Sequence, residues 1–224
     1  MEFRILPAGD SALLVQLPAR IDPAVSDQAV ALAQAVRIRC GNGVRDLVVG
    51  FCSVTVYFDP LRIDAIALEE DIRGAAAGLV ESARGDEALI EVDVCYGAEY
   101  GPDLAEVAAF AHATEEEVIA LHSAATYRVY VVGFVPGFPY MARVHSRLEI
   151  PRKATPRTRV PAGSVAIAAG QTGIYPTETP GGWHLIGRTR LKPYEASRPQ
   201  PFLFKPGDQV RFRPIDRDEF ERMN

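Results

Sequence analysis

Residues 151–189 read PRKATPRTRVPAGSVAIAAGQTGIYPTETPGGWHLIGRT, and their alternation sets the architecture of the second half of the chain. Ser164–Ala169 and Trp183–Arg188 are short apolar runs of strand length, and Gly170–Thr179 between them is broken by glycine and proline. Tyr127–Val132 before them and Gln209–Pro214 after them repeat the pattern. Strands at this spacing, joined by long Gly/Pro loops, predict a β-rich barrel or closed sandwich. Twelve of the seventeen prolines lie between Gly133 and Pro214, whereas the first 130 residues alternate regular elements.

In that first part, Phe3–Leu6 and Leu13–Leu17 read as strands, and Ser26–Arg39 carries Val30, Ala33 and Val36 at helical spacing. Val44–Val49 is a third strand, and the alternation Val54, Val56, Phe58 is a fourth. Alanine-rich Ile66–Val80 follows as a second helix before Leu89–Val94 opens the next strand. The order ββαββα predicts a small α/β sandwich with helices on one face of an antiparallel sheet, so the whole chain is α+β. Gly85–Glu87, between helix and strand, divides it into residues 1–87 and 88–224, and cleavage there is expected to release two folded pieces. Beyond the divide, Asp103 precedes Glu106 and Thr114 precedes Glu117 at the spacing of a helix capping box, which predicts two helix starts. His112 and His122 ride on these helices ten residues apart, which excludes an i, i+4 metal pair.

The 224 residues are 48% hydrophobic and 24% charged, with a mean hydropathy of +0.01, as in soluble globular proteins. No apolar run approaches the roughly 18 residues of a membrane span, and Ala12–Val15 is too short for a signal-peptide core, so a cytoplasmic protein is expected. Cys40, Cys52 and Cys95 form no CxxC and are expected as buried thiols rather than disulfides or zinc ligands. A net charge of -5 argues against nonspecific nucleic-acid binding. Between Arg143 and Arg159, however, six cations (Arg143, Arg147, Arg152, Lys153, Arg157, Arg159) face one acid, Glu149. Such a run is ordinarily a solvated face. There is no GxSxG, HExxH or EF-hand loop, and Gly-Gln-Thr-Gly (170–173) lacks the ending of a phosphate loop. Four scattered histidines predict no protein metal site.

Three loops supply the remaining chemistry. Gly133-Phe-Val-Pro-Gly-Phe-Pro-Tyr140 mixes stiffening prolines and permissive glycines with aromatics, which holds Phe134, Phe138 and Tyr140 in fixed directions as pocket walls. Pro151–Pro161 sets Arg152, Arg157 and Arg159 between prolines, and guanidinium forks bind carboxylate or phosphate bidentately. Arg157, held mid-loop, is the sharpest candidate. Gly170–Pro176 offers the Gln171 amide and the Tyr175 phenol, and Thr179–Trp183 brings backbone close to a ligand beneath the single tryptophan, Trp183. Each loop alone reads as a barrel turn; three in one half point to a site for an anionic ligand.

The motifs GFVPGFPYMARV, residues 151–189 and the closing PGDQVRFRPI resemble the B-subunit family of bacterial 5-oxoprolinase, also called allophanate hydrolase subunit 1, which includes KipI-type sensor-kinase inhibitors. The resemblance is most specific from Gly133 to Thr189 and looser before Val92. It implies a ferredoxin-like N-terminal α/β domain, a cyclophilin-like C-terminal β-barrel, and work beside a cyclophilin-like C subunit of 5-oxoprolinase and a LamB/YcsF-type A subunit. The implied activity is ATP-dependent opening of 5-oxoproline to L-glutamate, with ATP as co-substrate of the complex. Arg157, Gln171 and Tyr175 would then act on the substrate, and Phe138, Tyr140, Arg152, Arg159 and Trp183 would bind it. The chain holds no convincing nucleophile–base pair or nucleotide loop, so alone it is expected to be inactive. The alternatives are a KipI-type inhibitor bound to a sensor histidine kinase and a component of an allophanate hydrolase or urea carboxylase system.

Overall fold

The computed structural model describes residues 1–79 and 88–223. The chain divides into two compact units, Met1–Glu87 and Ala88–Asn224. The expected cleavage segment Gly85–Glu87 lies outside the described residues.

The first unit runs β1 (Arg4–Pro7), β2 (Ala12–Gln16), α1 (Pro23–Cys40), β3 (Val44–Val49), β4 (Ser53–Phe58) and α2 (Ala65–Ala77). Its four strands form one sheet in the order β1-β2-β4-β3, antiparallel throughout. Because β4 lies between β2 and β3, the β2-α1-β3 crossover is the split βαβ unit of ferredoxin-like sandwiches. The outer strand beside β2 comes from the N-terminus, whereas the usual βαββαβ order would take it from after the second helix. Alternation places Leu13, Val15, Val54, Val56 and Phe58 on one face, where they meet Val25, Leu32, Val36, Leu68 and Ile72 of the helices. Asp22 and Asp64 cap the helix starts, accepting from the N–H groups of Ala24 and of Ile66 and Ala67.

The second unit is a closed barrel built from β5 (Leu89–Tyr96), β6 (Thr126–Val132), β7 (Pro139–Ala142), β9 (Ser164–Ala168), β10 (Gln171–Ile174), β12 (His184–Arg188) and β13 (Gln209–Ile215). Going round, the order is β10-β7-β6-β13-β5-β12-β9. Only β13 and β5 run parallel. Val92, Val94, Val129, Met141, Val165, Ile167 and Phe212 fill the interior, with Leu104, Val107 and Val118 packed on it from α3 (Leu104–Ala111) and α4 (Glu115–Ser123). A short ribbon of β8 (Arg157–Val160) and β11 (Thr179–Gly181) stands apart from the barrel, and α5 (Arg217–Arg222) ends the chain. Among the described residues no helix is long and apolar enough to cross a membrane.

Several local expectations change. The three segments read as loops each contain a strand, β7, β8 or β10, because their backbone groups find ladder partners: β7 folds back on β6, β10 folds back on β9, β7 and β10 pair with each other, and β8 pairs with β11. Thr114 and Glu117 form the expected reciprocal capping box. Asp103 does not: it sits at the N-cap of α3, yet its side chain makes no cap hydrogen bond. Of the three cysteines only Cys95 is buried; all are free. The basic run forms no single patch. Arg147 donates to the carbonyls of Ala111 and His112 at the end of α3, where a cation complements the helix dipole, and Arg159 is exposed and paired with Glu178 at 2.6 Å.

His122 is a core residue. Its Nε2 lies 2.8 Å from Thr172 Oγ1, which itself donates to Ala166 O. The network therefore puts the proton on Nε2 and leaves Nδ1 to accept from Tyr96 OH at 2.8 Å. Its ring stacks on Phe212, centroids 4.5 Å apart, and burial drives its pKa down to about 3. The ring is neutral at any ordinary pH.

Candidate functional site

A second apolar cluster lies apart from the barrel interior, made of Phe138, Val160, Ala166, Ala168, Tyr175, Trp183 and Leu185 with Val135 and Tyr140 against it. Phe138, Tyr140, Tyr175 and Trp183 of this cluster line a cavity of about 410 Å³ bounded also by Phe134, Arg152, Lys153, Pro156 and residues 179–182. The rings meet edge to face: Phe138 and Trp183 have centroids 5.4 Å apart at 89°, and Phe138 and Tyr175 5.0 Å apart at 78°. That geometry sets positive ring edges against negative faces and fixes each ring's direction. Close backbone approach is part of the construction. A Cβ on Gly173 would fall 2.7 Å from Phe138 Cζ, and one on Gly181 would run into the Tyr175 hydroxyl, so only glycine leaves the rings where they are. Burial raises the Tyr175 phenol above its ordinary pKa, against a lowering backbone hydrogen bond from Trp183, so the hydroxyl stays protonated and polar at the wall.

Two cations border this apolar space in different ways. Arg152 is exposed, with its guanidinium carbon 6.0 Å from the Trp183 ring centroid. Lys153 is half-buried, and its Nζ lies 3.1 Å from Asp103 Oδ1 and 2.5 Å from Glu106 Oε2. Asp103, 4% exposed, also accepts from Arg157 Nη2 at 2.7 Å and from the Leu185 N–H at 2.7 Å. Burial pushes the Asp103 carboxyl up, but the bonds from Arg157, Leu185 and Lys153 outweigh it and hold the pKa below its ordinary value. His184 completes the group: its Nε2 lies 2.9 Å from Pro151 O and so carries the proton, while its buried Nδ1 lies 3.7 Å from Glu106 Oε2. Donor atoms of Asp103, Glu106 and His184 all lie within 4.8 Å of one another, close enough to hold a metal ion. Two of the three already bind the Lys153 ammonium, a cation supplied by the chain itself.

Of the residues expected to form the site, the structure brings Phe138, Tyr140, Arg152, Tyr175 and Trp183 to this one cavity. Arg157 does not line it, because its guanidinium is drawn to the buried Asp103 carboxylate. Arg159 is turned to Glu178, and Gln171 sits in the ladder between Ala142 and Ala168. Lys153, Asp103, Glu106 and His184 were not expected as site residues. The Asp103/Glu106 spacing was legible but pointed to a cap; what diverts the carboxylates is the approach of Lys153 and Arg157 from about fifty residues away in sequence.

The family described as "Carboxyltransferase domain, subdomain C and D" matches residues 3–204. The chain is similar to the B subunit of 5-oxoprolinase from Bacillus subtilis (strain 168), 36% identical over 230 residues that cover 98% of this chain and 96% of that protein. It is 40% identical over 209 residues to the B subunit of 5-oxoprolinase from Escherichia coli O157:H7, covering 92% and 93% of the two. Among solved structures it superposes on that of TTHA0988 with a TM-score of 0.82 at 37% identity, over 92% of this chain. There it spans only 40% of the longer chain.

Proposed function

The chain belongs to the carboxyltransferase domain, subdomain C and D, family, and from that premise we propose that it is the B subunit of an ATP-dependent 5-oxoprolinase, converting 5-oxoproline to L-glutamate together with partner subunits. The observation that carries this reading is the cavity: an aromatic-walled space bordered by Arg152 and Lys153 suits a small ring that bears an amide and a carboxylate. Relatives that carry the name of this 5-oxoprolinase component align along nearly their whole length, which supports the same assignment and a multi-subunit setting.

The chemistry explains the need for ATP and partners. A lactam is a poor electrophile, so transfer of the ATP γ-phosphoryl group to the amide oxygen would turn that oxygen into a leaving group. Water would then add at the former carbonyl carbon, the C–N bond would break with the nitrogen taking up a proton to leave the free amine and an acyl phosphate, and a second water would displace phosphate to give the side-chain carboxylate of glutamate. The aromatic walls would hold the ring and exclude bulk water, and Arg152 would take the ring carboxylate as a charge-assisted pair. No nucleotide loop or nucleophile–base pair borders the cavity among the described residues, so a 5-oxoprolinase C subunit and a LamB/YcsF-type A subunit would supply the rest.

Co-production with those two partners and an assay of ATP-dependent glutamate release from 5-oxoproline tests the reading, with allophanate and urea as control substrates. Turnover is expected from the assembled complex and not from the single chain. ATP-dependent consumption of allophanate or urea, with no glutamate formed from 5-oxoproline, overturns it.

A further inference from the structure

Lys153 is the most constrained cation at the cavity. Its backbone N–H donates to Gly182 O at 2.8 Å, and its ammonium bonds the carboxylates of Asp103 and Glu106, so the side chain is tied at both ends. An ammonium has three donors; the two carboxylates take two, and Lys153 is itself a wall residue. The third donor is thereby preorganised, with little rotamer freedom left to lose when a ligand arrives. The residues that hold it are held in turn. Asp103 is fixed by Arg157 and the Leu185 N–H, and His184 grips the carbonyl of Pro151, two residues before Lys153. Arg152, by contrast, is exposed and pairs with no carboxylate among the described residues.

We propose that these adjacent cations divide one ligand between them: Lys153 donates its remaining N–H to the carbonyl oxygen of a lactam ring, and Arg152 at the rim pairs with the ring's carboxylate. Asp103 and Glu106 are positioning residues for the ammonium. The assignment rests on the lactam reading above and adds the residue that reads the amide. It places the half-buried charge beside the oxygen that receives the phosphoryl group, where negative charge accumulates, and the exposed charge where a carboxylate remains unchanged throughout.

Trp183, the single tryptophan, reports on the cavity directly. Titration of the full chain with 5-oxoproline and with pyrrolidin-2-one, which lacks the carboxylate, is followed by its fluorescence. The wild type is expected to bind both saturably, 5-oxoproline more tightly. Arg152→Gln should weaken 5-oxoproline selectively, roughly tenfold, toward the affinity of pyrrolidin-2-one. Lys153→Met should weaken both ligands roughly ten- to hundredfold, the range of a lost charge-assisted bond. Since Lys153→Met leaves two carboxylates short of a cation, Lys153→Met/Glu106→Gln, which keeps the Asp103–Arg157 pair and the charge balance, carries the test if the single variant fails to fold. A folded Lys153 variant that binds both ligands like the wild type, or loses only 5-oxoproline, overturns the division of labour. A wild type with no saturable response to either ligand overturns the lactam reading itself.

Discussion

Asp103 joins four parts of the chain through one carboxylate: the start of α3, the Leu185 N–H of β12, Arg157 of β8 and Lys153 of the loop before it. Removing it leaves two cations partly desolvated and a buried N–H without its acceptor, so Asp103→Ala should cost about 2–3 kcal/mol in urea unfolding at pH 7. The lower part of that range applies if Arg157 and Lys153 relax toward solvent. Because the folded Asp103 pKa is depressed, its contribution is complete above its unfolded value of about 3.9 and is lost as pH falls through the folded value. His122 acts in a higher window. The unfolded chain takes up a proton near pH 6.5 that the folded chain refuses until about 3. Stability should therefore fall by about 1.4 kcal/mol per pH unit for this one proton between those values. Unfolding curves from pH 7 to 4 for the wild type and His122→Gln check it: the variant should lose one proton's worth of slope, and equal slopes would refute the assignment.

Two helix starts with similar sequences behave differently at the scale of the element. Thr114→Ala removes a working cap and should cost about 1 kcal/mol, read as a lower midpoint in chemical denaturation. Asp103 carries the same signature but caps nothing, so a change there should be felt in β12 and at the cavity rather than as fraying of α3; amide exchange localised at Leu185 would separate the two. Strand β10 offers the sharper test. Gly173 packs beneath Phe138 and 2.9 Å from the Pro139 carbonyl at the position its Cβ would take. Gly173→Ala should destabilise the barrel by about 1–3 kcal/mol through overpacking and shift Trp183 emission as Phe138 is displaced. Unchanged emission with unchanged stability would mean the ring has room to move. The sequence marked Gly170–Thr179 as punctuation, which it is at its ends, but four of those residues complete the barrel because β7 and β9 offer them ladder partners.

At the scale of the molecule, the apolar clusters of the two units are separate in membership, and all residues lining the aromatic cavity belong to 88–224. Residues 88–224 produced alone should therefore fold, with a cooperative melt and the Trp183 emission of the full chain; a molten product would show that the barrel depends on the first unit. Much of this organisation is legible in the residues themselves. Period-two and helical spacing wrote out β1 to α2 in order, because local burial patterns and short connections leave few alternatives for a small sandwich. The aromatics Phe138, Tyr140, Tyr175 and Trp183 stood out because proline and glycine around them betray fixed directions. The pairing of β8 with β11, the strand character of β7 and β10, and the partners of the six cations were not legible. A guanidinium or ammonium is captured by whichever buried carboxylate it reaches first in space. The sequence by itself determined which residues could bind an anion and where the chain would turn; only the tertiary structure decided that Asp103 claims Arg157 and braces Lys153, while Arg152 stays open at the rim, because ion pairing depends on distances that barrel closure alone sets.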